Sequence, residues 1–201
     1  MKTIKVEGQI RSDFGKAATR RLRSEGRVPV VIYGGEEIIH CSVAPLDVRG
    51  LVYTPEFQAV EITIDGKTHR CILKDLQFDV VTDSLTHIDL LELVDGKKVI
   101  ADMPINFVGQ PKGVKEGGRL VIKLKTVRVR TYPRFLKEHL DVNIENLALN
   151  GNVRVQDIPA ENMEVMNPPR IPIASVVLTR ALKQAGNEAA AEEETEAETA
   201  E

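Results

Sequence analysis

Long apolar runs are missing from this sequence. None approaches the roughly 18 residues that a bilayer-spanning helix needs, so no membrane segment is expected. The opening MKTIKVEGQIRSDFG has no apolar h-region, so no secretory leader is expected either. Cysteine is scarce: Cys41 and Cys71 alone, which in a leaderless chain read as reduced cytoplasmic thiols rather than a staple. C-x-x-C and H-x-x-x-H spacings, zinc-knuckle patterns, helix-turn-helix periodicity, heptads and internal repeats are all absent. Those gaps remove the common zinc modules, DNA-reading helices and coiled coils. What remains is 201 residues, 42% hydrophobic and 28% charged, the make-up of a soluble globular protein. That length suffices for one large domain or two small ones, each with a core.

The formal net charge of −3 averages two unlike regions. Residues 188–201 carry seven glutamates and no cation. Setting them aside turns 27 basic against 30 acidic residues into 27 against 23, so residues 1–187 are net basic. The excess is concentrated between residues 11 and 27, where Arg11, Lys16, Arg20, Arg21, Arg23 and Arg27 face only Asp13 and Glu25. Like charges gathered this way repel and add nothing to fold stability. Such a cluster points to an anionic partner.

TIKVEGQI alternates as a strand, and GKAATRRLRSEG has helical spacing that puts Lys16, Arg20 and Arg23 on one face. Ala18 and Leu22 fall nearly opposite, toward a core. Gly26 is placed to cap this helix, and Pro29 forbids its continuation. VPVVIY and IIHCSV read as two strands around the GGEE turn, and PLDVRGLVYT as a short helix beginning at its proline. FQAVEITIDGKTHRCILKDL is the clearest hairpin, with Asp65-Gly66 at the turn. THIDLLEL closes the first unit. Beyond a boundary near Val94–Val99 come IADMPINFVG, RLVIKLKTVRVRT, LDVNIENL and IPIASVVL, strand-like segments with Gly- and Pro-rich connections. Their alternation suits a half-solvated antiparallel sheet. The expected class is therefore mainly β, with one β-rich domain at 1–94 and a second at 97–183. Residues 184–201 are expected to form a disordered acidic tail, because they bury too little to offset the entropy of ordering.

A basic helix face is often only solvated surface. Three features favour a ligand here. Few acids stand nearby for i,i+4 pairing. Arginine predominates, and its planar fork suits phosphate oxygens and stacks on bases. DFGKAA and YGG flank the stripe with glycines, which let backbone approach a ligand closely. A β-rich module with one short basic helix suits structured RNA, whose wide, shallow minor groove displays 2′-hydroxyls. Tyr33 ends the strand after the helix. His87 and Asp89 stand two apart in THIDL and so share a strand face, with Ile88 and Leu90 on the other. Asp89 can accept from a guanine amine; composition alone slightly favours reading the His87–Asp89 pair as an internal hydrogen bond.

FGKAATRRLRSEGRVPVVIYGG, together with QFDVVTDSLTHIDL, resembles the bacterial large-subunit ribosomal protein twenty-five family, binders of 5S rRNA. INFVGQPKGVKEGGRL, TYPRFLKEHLDVNIENL and IPIASVV resemble the C-terminal β-domain of that family's long form, the general stress protein CTC type. The likeness runs from Lys5 to Leu178. It implies an N-terminal six-stranded β-barrel with short helices, docked on the minor groove of 5S rRNA in the central protuberance of the 50S subunit. It implies RNA contacts at Arg11, Arg23, Tyr33, His87 and Asp89, supported by Lys16, Thr19, Arg20, Arg21 and Gln77. The family often has serine where this chain has Thr19, which keeps the hydroxyl. The resemblance also implies a cytoplasmic, ribosome-associated protein, monomeric when free, with neighbouring ribosomal proteins as further partners, no membrane contact and no cofactor.

Other chemistries fit less well. His40, Cys41, His69 and Cys71 could meet across strands, but His40 and Cys41 point oppositely, so at most three ligands converge. Two buried thiols and two surface histidines is the better reading. Ser84, His87 and Asp89 lie beside one strand with no oxyanion hole, and GQPKGVKEGG lacks the Gly-Lys-Ser/Thr end of a phosphate loop. A non-enzymatic protein is expected. The surviving alternative is a stress-related chaperone or adaptor acting through the C-terminal domain. The acidic tail could also compete in cis with phosphate for the arginine face.

Overall fold

The computed structural model describes residues 1–179, so the acidic tail expected at 184–201 lies outside the described residues. In chain order the first elements are β1 (Thr3–Ile10), α1 (Lys16–Ser24), β2 (Val28–Tyr33), β3 (Ile39–Val43), α2 (Arg49–Val52), β4 (Ala59–Ile64), β5 (Lys67–Phe78) and β6 (Leu85–Glu92). The six strands close into a barrel in the order β1-β3-β2-β6-β5-β4. Antiparallel neighbours supply β1–β3, β2–β3, β4–β5 and β5–β6. Parallel pairings of β1 with β4 and β2 with β6 seal the ring, and closure leaves no unpaired edge. The Asp65-Gly66 turn has φ of 46° and 80°, the paired positive angles of a two-residue hairpin that follows the strand twist.

Alternation decides what faces inward. Val30, Ile32, Ile62, Ile88 and Leu90 are buried in the barrel core, packed with Cys41 and Val60. Each fully buried branched side chain contributes about 1.5–3 kcal/mol relative to exposure. Helix α1 ends as its sequence suggests. Arg27 N–H donates to Leu22 O and Gly26 N–H to Arg23 O, both at 3.1 Å, and Gly26 takes a φ of 76°. That is the glycine-terminated double bond that satisfies a helix's last carbonyls. Helix α2 is shorter than PLDVRGLVYT implies. Asp47 N–H donates to Ala44 O and Arg49 N–H to Leu46 O, i→i+3 turns that occupy the stretch after Pro45.

The later elements are β7 (Val99–Val108), α3 (Lys112–Lys115), β8 (Arg119–Ile122), β9 (Thr126–Thr131), β10 (Leu140–Asn143), β11 (Asn152–Arg154), β12 (Glu164–Val165) and β13 (Pro172–Val177). They form a four-stranded sheet, β10-β7-β9-β12, and a three-stranded antiparallel sheet, β11-β13-β8. One pairing, Ile105–Val108 of β7 with Leu140–Asn143 of β10, is parallel; the chain between them is long enough to return in the same direction. RLVIKLKTVRVRT is two strands rather than one. Lys123 and Leu124 both donate N–H to Ile173 O, at 2.8 and 3.1 Å, which breaks the extended run.

The chain divides into two compact units that interleave along the sequence. One comprises Met1–Pro104, Arg128–His139 and Asn162–Glu164; the other takes Ile105–Val127, Leu140–Glu161 and the chain from Val165. Among the described residues no helix is long and apolar enough to cross a membrane.

Candidate nucleic-acid interface

The parallel seam between β2 and β6 builds a polar face on the outside of the barrel. Its register sets Val31 against Asp89 and Tyr33 against Leu91. Because Ile88 and Leu90 point into the core, His87 and Asp89 point out, as their spacing predicts. Strand β5 adds Gln77 opposite His87 and Asp75 opposite Asp89. Tyr33, Gln77, His87 and Asp89 therefore share one surface.

His87 Nδ1 lies 2.8 Å from Asp89 Oδ1, but the approach is not aligned for an N–H···O bond and leaves Nδ1 without a hydrogen-bond partner. The contact is a close approach rather than an internal hydrogen bond. Burial pushes the half-buried Tyr33 hydroxyl above its usual 10, and the carboxylates of Asp89 and Asp75 push it further. Tyr33 thus stays an O–H donor at neutral pH beside the acceptor Asp89 and the amide of Gln77. Donors and acceptors so mixed can serve ribose hydroxyls and base edges.

Helix α1 lies beside this face. Lys16, Arg20 and Arg23 are exposed, while Ala18 and Leu22 are half-buried. Arg23 Nε donates to Thr86 O at 3.1 Å, which anchors the guanidinium next to β6 and leaves its two Nη groups available. Lys16 and Arg20 form no ion pair among the described residues. Thr19 Oγ1 donates to Gly15 O at 3.0 Å and lies 3.1 Å from Lys16 O, so its hydroxyl bonds back onto its own helix. Arg11 follows β1 with its guanidinium 5.7 Å from the Phe14 ring. Its Nε and Nη1 are buried with no acceptor, an arrangement that native proteins rarely leave unsatisfied.

Three expectations are corrected. The stripe does have acidic partners at one residue, because Arg21 pairs with Asp13 at 2.8 Å and with Glu25, i,i+4, at 3.9 Å. Arg27 is structural: Nε donates to Ser42 Oγ at 3.1 Å and Nη2 to Ser42 O at 2.9 Å, clamping the helix exit to β3. The glycines after Tyr33 do not open space for a ligand. A Cβ on Gly34 would sit 2.6 Å from Leu91 Cδ1, and one on Gly35 would overlap the Glu92 carboxylate, so both glycines serve the packing of β6.

The remaining reactive side chains are quiet. Burial pushes the Cys41 thiol up to about 11 and the Cys71 thiol up to about 12, so neither offers a thiolate at neutral pH. His69 and His40 are half-buried rather than surface groups; His69 Nδ1 lies 2.7 Å from Glu92 Oε1. The Ser84 hydroxyl is bonded to Thr82 Oγ1 at 2.8 Å. Sequence reasoning passed over Arg49 and Tyr53, which stand exposed at i and i+4 around α2. The RGLVY spacing was the signal available for them.

Comparison with known proteins gives a consistent result. The Ribosomal L25p family model matches residues 6–90, and the model of the ribosomal protein TL5 C-terminal domain matches residues 98–180. Large ribosomal subunit protein bL25 of Amoebophilus asiaticus (strain 5a2) is 39% identical over 189 residues, 94% of this chain and 96% of that protein. The bL25 proteins of Bacteroides fragilis (strain YCH46) and Parabacteroides distasonis are 34% and 37% identical, each over 190 residues. They cover 92% of this chain and 97% and 98% of their own lengths.

Proposed function

Because the chain belongs to the ribosomal L25p family, as a structural protein of the large ribosomal subunit and not an enzyme, we propose that its barrel binds 5S rRNA. Lys16, Arg20 and Arg23 dock on phosphates along one side of an RNA helix, where arginine's planar fork fits the oxygens. Tyr33, Gln77, His87 and Asp89 enter the minor groove and fix the register. Arg11 brings two unsatisfied N–H groups, Arg21 exchanges its exposed carboxylates for phosphate, and the Thr19 hydroxyl lines the same helix. The RNA-binding module is residues 1–94, with 97–183 as a second β-domain. The protein works on the cytoplasmic ribosome, in the central protuberance, and is a monomer when free.

One observation carries this reading: Arg23 Nε on Thr86 O joins the exposed cationic helix to the strand that holds His87 and Asp89. Charge and readout therefore form a single surface. Filter binding of the full chain to a 5S rRNA transcript and to an unrelated RNA duplex of equal length tests it. Tighter binding to 5S rRNA is expected, and Tyr33→Phe combined with Asp89→Ala should erase the preference. Equal affinity of the wild-type protein for both RNAs refutes it.

A further inference from the structure

A concavity of about 750 Å³ opens beside Arg23 and the helix exit at Gly26 and Arg27. Leu46, Val52, Tyr53 and Leu85 supply apolar walls, Arg23, Arg27 and Arg49 supply cations, and no carboxylate lines it. Arg27 is engaged with Ser42. The exposed Arg49 guanidinium has no hydrogen bond or ion pair among the described residues. Leu46 is 79% and Tyr53 67% exposed, so the lining is uncovered. The Tyr53 ring stands 6.5 Å from that of Phe78 at a tilt of 53°, a tilted contact and not a parallel stack.

We propose that this cleft takes one nucleotide of the bound RNA, unstacked from its helix, with the base against Tyr53 and Leu46 and its phosphate on Arg49. The inference rests on the RNA-binding reading and extends it to a second contact. The size falls in the usual range for small-ligand sites. An aromatic ring beside a free guanidinium is how proteins hold single unpaired bases, because every base has a π-face and every linkage a charge. A protein partner would need an acidic group for each unpaired cation; a nucleotide brings planar ring and anion together. Arg23, shared with the helix face, makes the two contacts continuous.

The chain contains no tryptophan, so Tyr53→Trp introduces a single reporter into the full-length protein. Addition of a 5S rRNA transcript should quench the introduced indole, saturating at the concentration at which a mobility shift saturates. Phe135→Trp, at a site 42% exposed, should stay unchanged. Tyr53→Ala should weaken RNA binding about tenfold, the effect of losing one stacked base, and Tyr53→Phe should retain it. Arg49→Ala should lower the salt slope by about one. An indole at position 53 that is unmoved in RNA-saturated protein, or Tyr53→Ala protein that binds as tightly as wild type, overturns the proposal while the 5S reading stands. An indole that responds only to polyglutamate assigns the cleft to an acidic protein instead. Absence of any mobility shift with wild-type protein defeats the 5S reading and this extension together.

Discussion

Truncating Arg23 and Arg27 to alanine, one at a time, separates the cation proposed to meet RNA from one that holds the barrel together. Arg27→Ala removes two bonds to Ser42, a residue only 4% exposed. A buried hydroxyl and carbonyl then lose a charged donor, at a cost of about 1–3 kcal/mol. At about 2 kcal/mol the melting temperature of a chain this size falls by roughly 4–8 °C. Arg23→Ala removes one exposed bond to Thr86 O, so its effect on stability stays within about 0.5 kcal/mol. The order reverses for RNA. With about three free cations on the helix, Lys16, Arg20 and Arg23, affinity falls roughly 40-fold between 50 and 200 mM salt, taking the duplex DNA slope as guide. If Arg11 and Arg21 also engage phosphate, the count without the cleft's Arg49 is about five and the fall roughly 500-fold. Arg23→Ala should lower the logarithmic slope by about one, and Arg27→Ala should leave it unchanged. Filter binding to 5S rRNA at four salt concentrations, with melting followed by circular dichroism, gives both readings. Equal flattening in the two variants, or an unchanged melting temperature in Arg27→Ala, would refute the division of labour.

Asp89→Asn should reduce the preference for 5S rRNA over a control duplex while leaving the salt slope intact; a changed slope with preserved preference contradicts its assignment to readout. Absorbance titration at 295 nm, wild type minus Tyr33→Phe, should place the Tyr33 step above pH 10, since burial and two carboxylates favour the protonated hydroxyl. With its folded value raised, Tyr33 contributes stability that is full below pH 10 and lost as pH climbs through that value; a step below 10 shows the assignment to be wrong. Native protein treated with a disulfide thiol reagent at pH 8 should release almost no chromophore, and denatured protein should release two equivalents. Rapid reaction of either thiol in the native state would contradict values of about 11 and 12 for Cys41 and Cys71.

Local chemistry was readable in advance. The Asp65-Gly66 hairpin, the glycine-capped end of α1 and the outward pair His87 and Asp89 all follow from short-range rules of turn and period. What short-range rules do not contain is partner choice. The two parallel seams join Thr3 to Ala59 and Val30 to Ile88, and nothing in either strand's own pattern names the other. The same limit explains the arginines. Spacing alone does not distinguish Arg23, which reaches Thr86 O, from Arg27, whose fork closes on Ser42. Nor does it show that Leu91 and Glu92 come to lie against the glycines after Tyr33. Lys123 and Leu124 continue an alternating run in sequence, and only a carbonyl from far along the chain, that of Ile173, divides it. Arg49 and Tyr53 were missed because a four-residue helix gives too little periodicity to separate an outer face from an inner one.

The seam between β2 and β6 has a consequence for assembly. Tyr33 arrives early in synthesis and His87 and Asp89 much later, so the polar surface they share comes into being only when the last barrel strand seats. Helix α1, by contrast, is complete by Ser24. If that surface reads 5S rRNA as proposed, an unfinished chain carries its cationic helix before it has any means of choosing among polynucleotides. On that proposal, selectivity is tied to completion of the barrel.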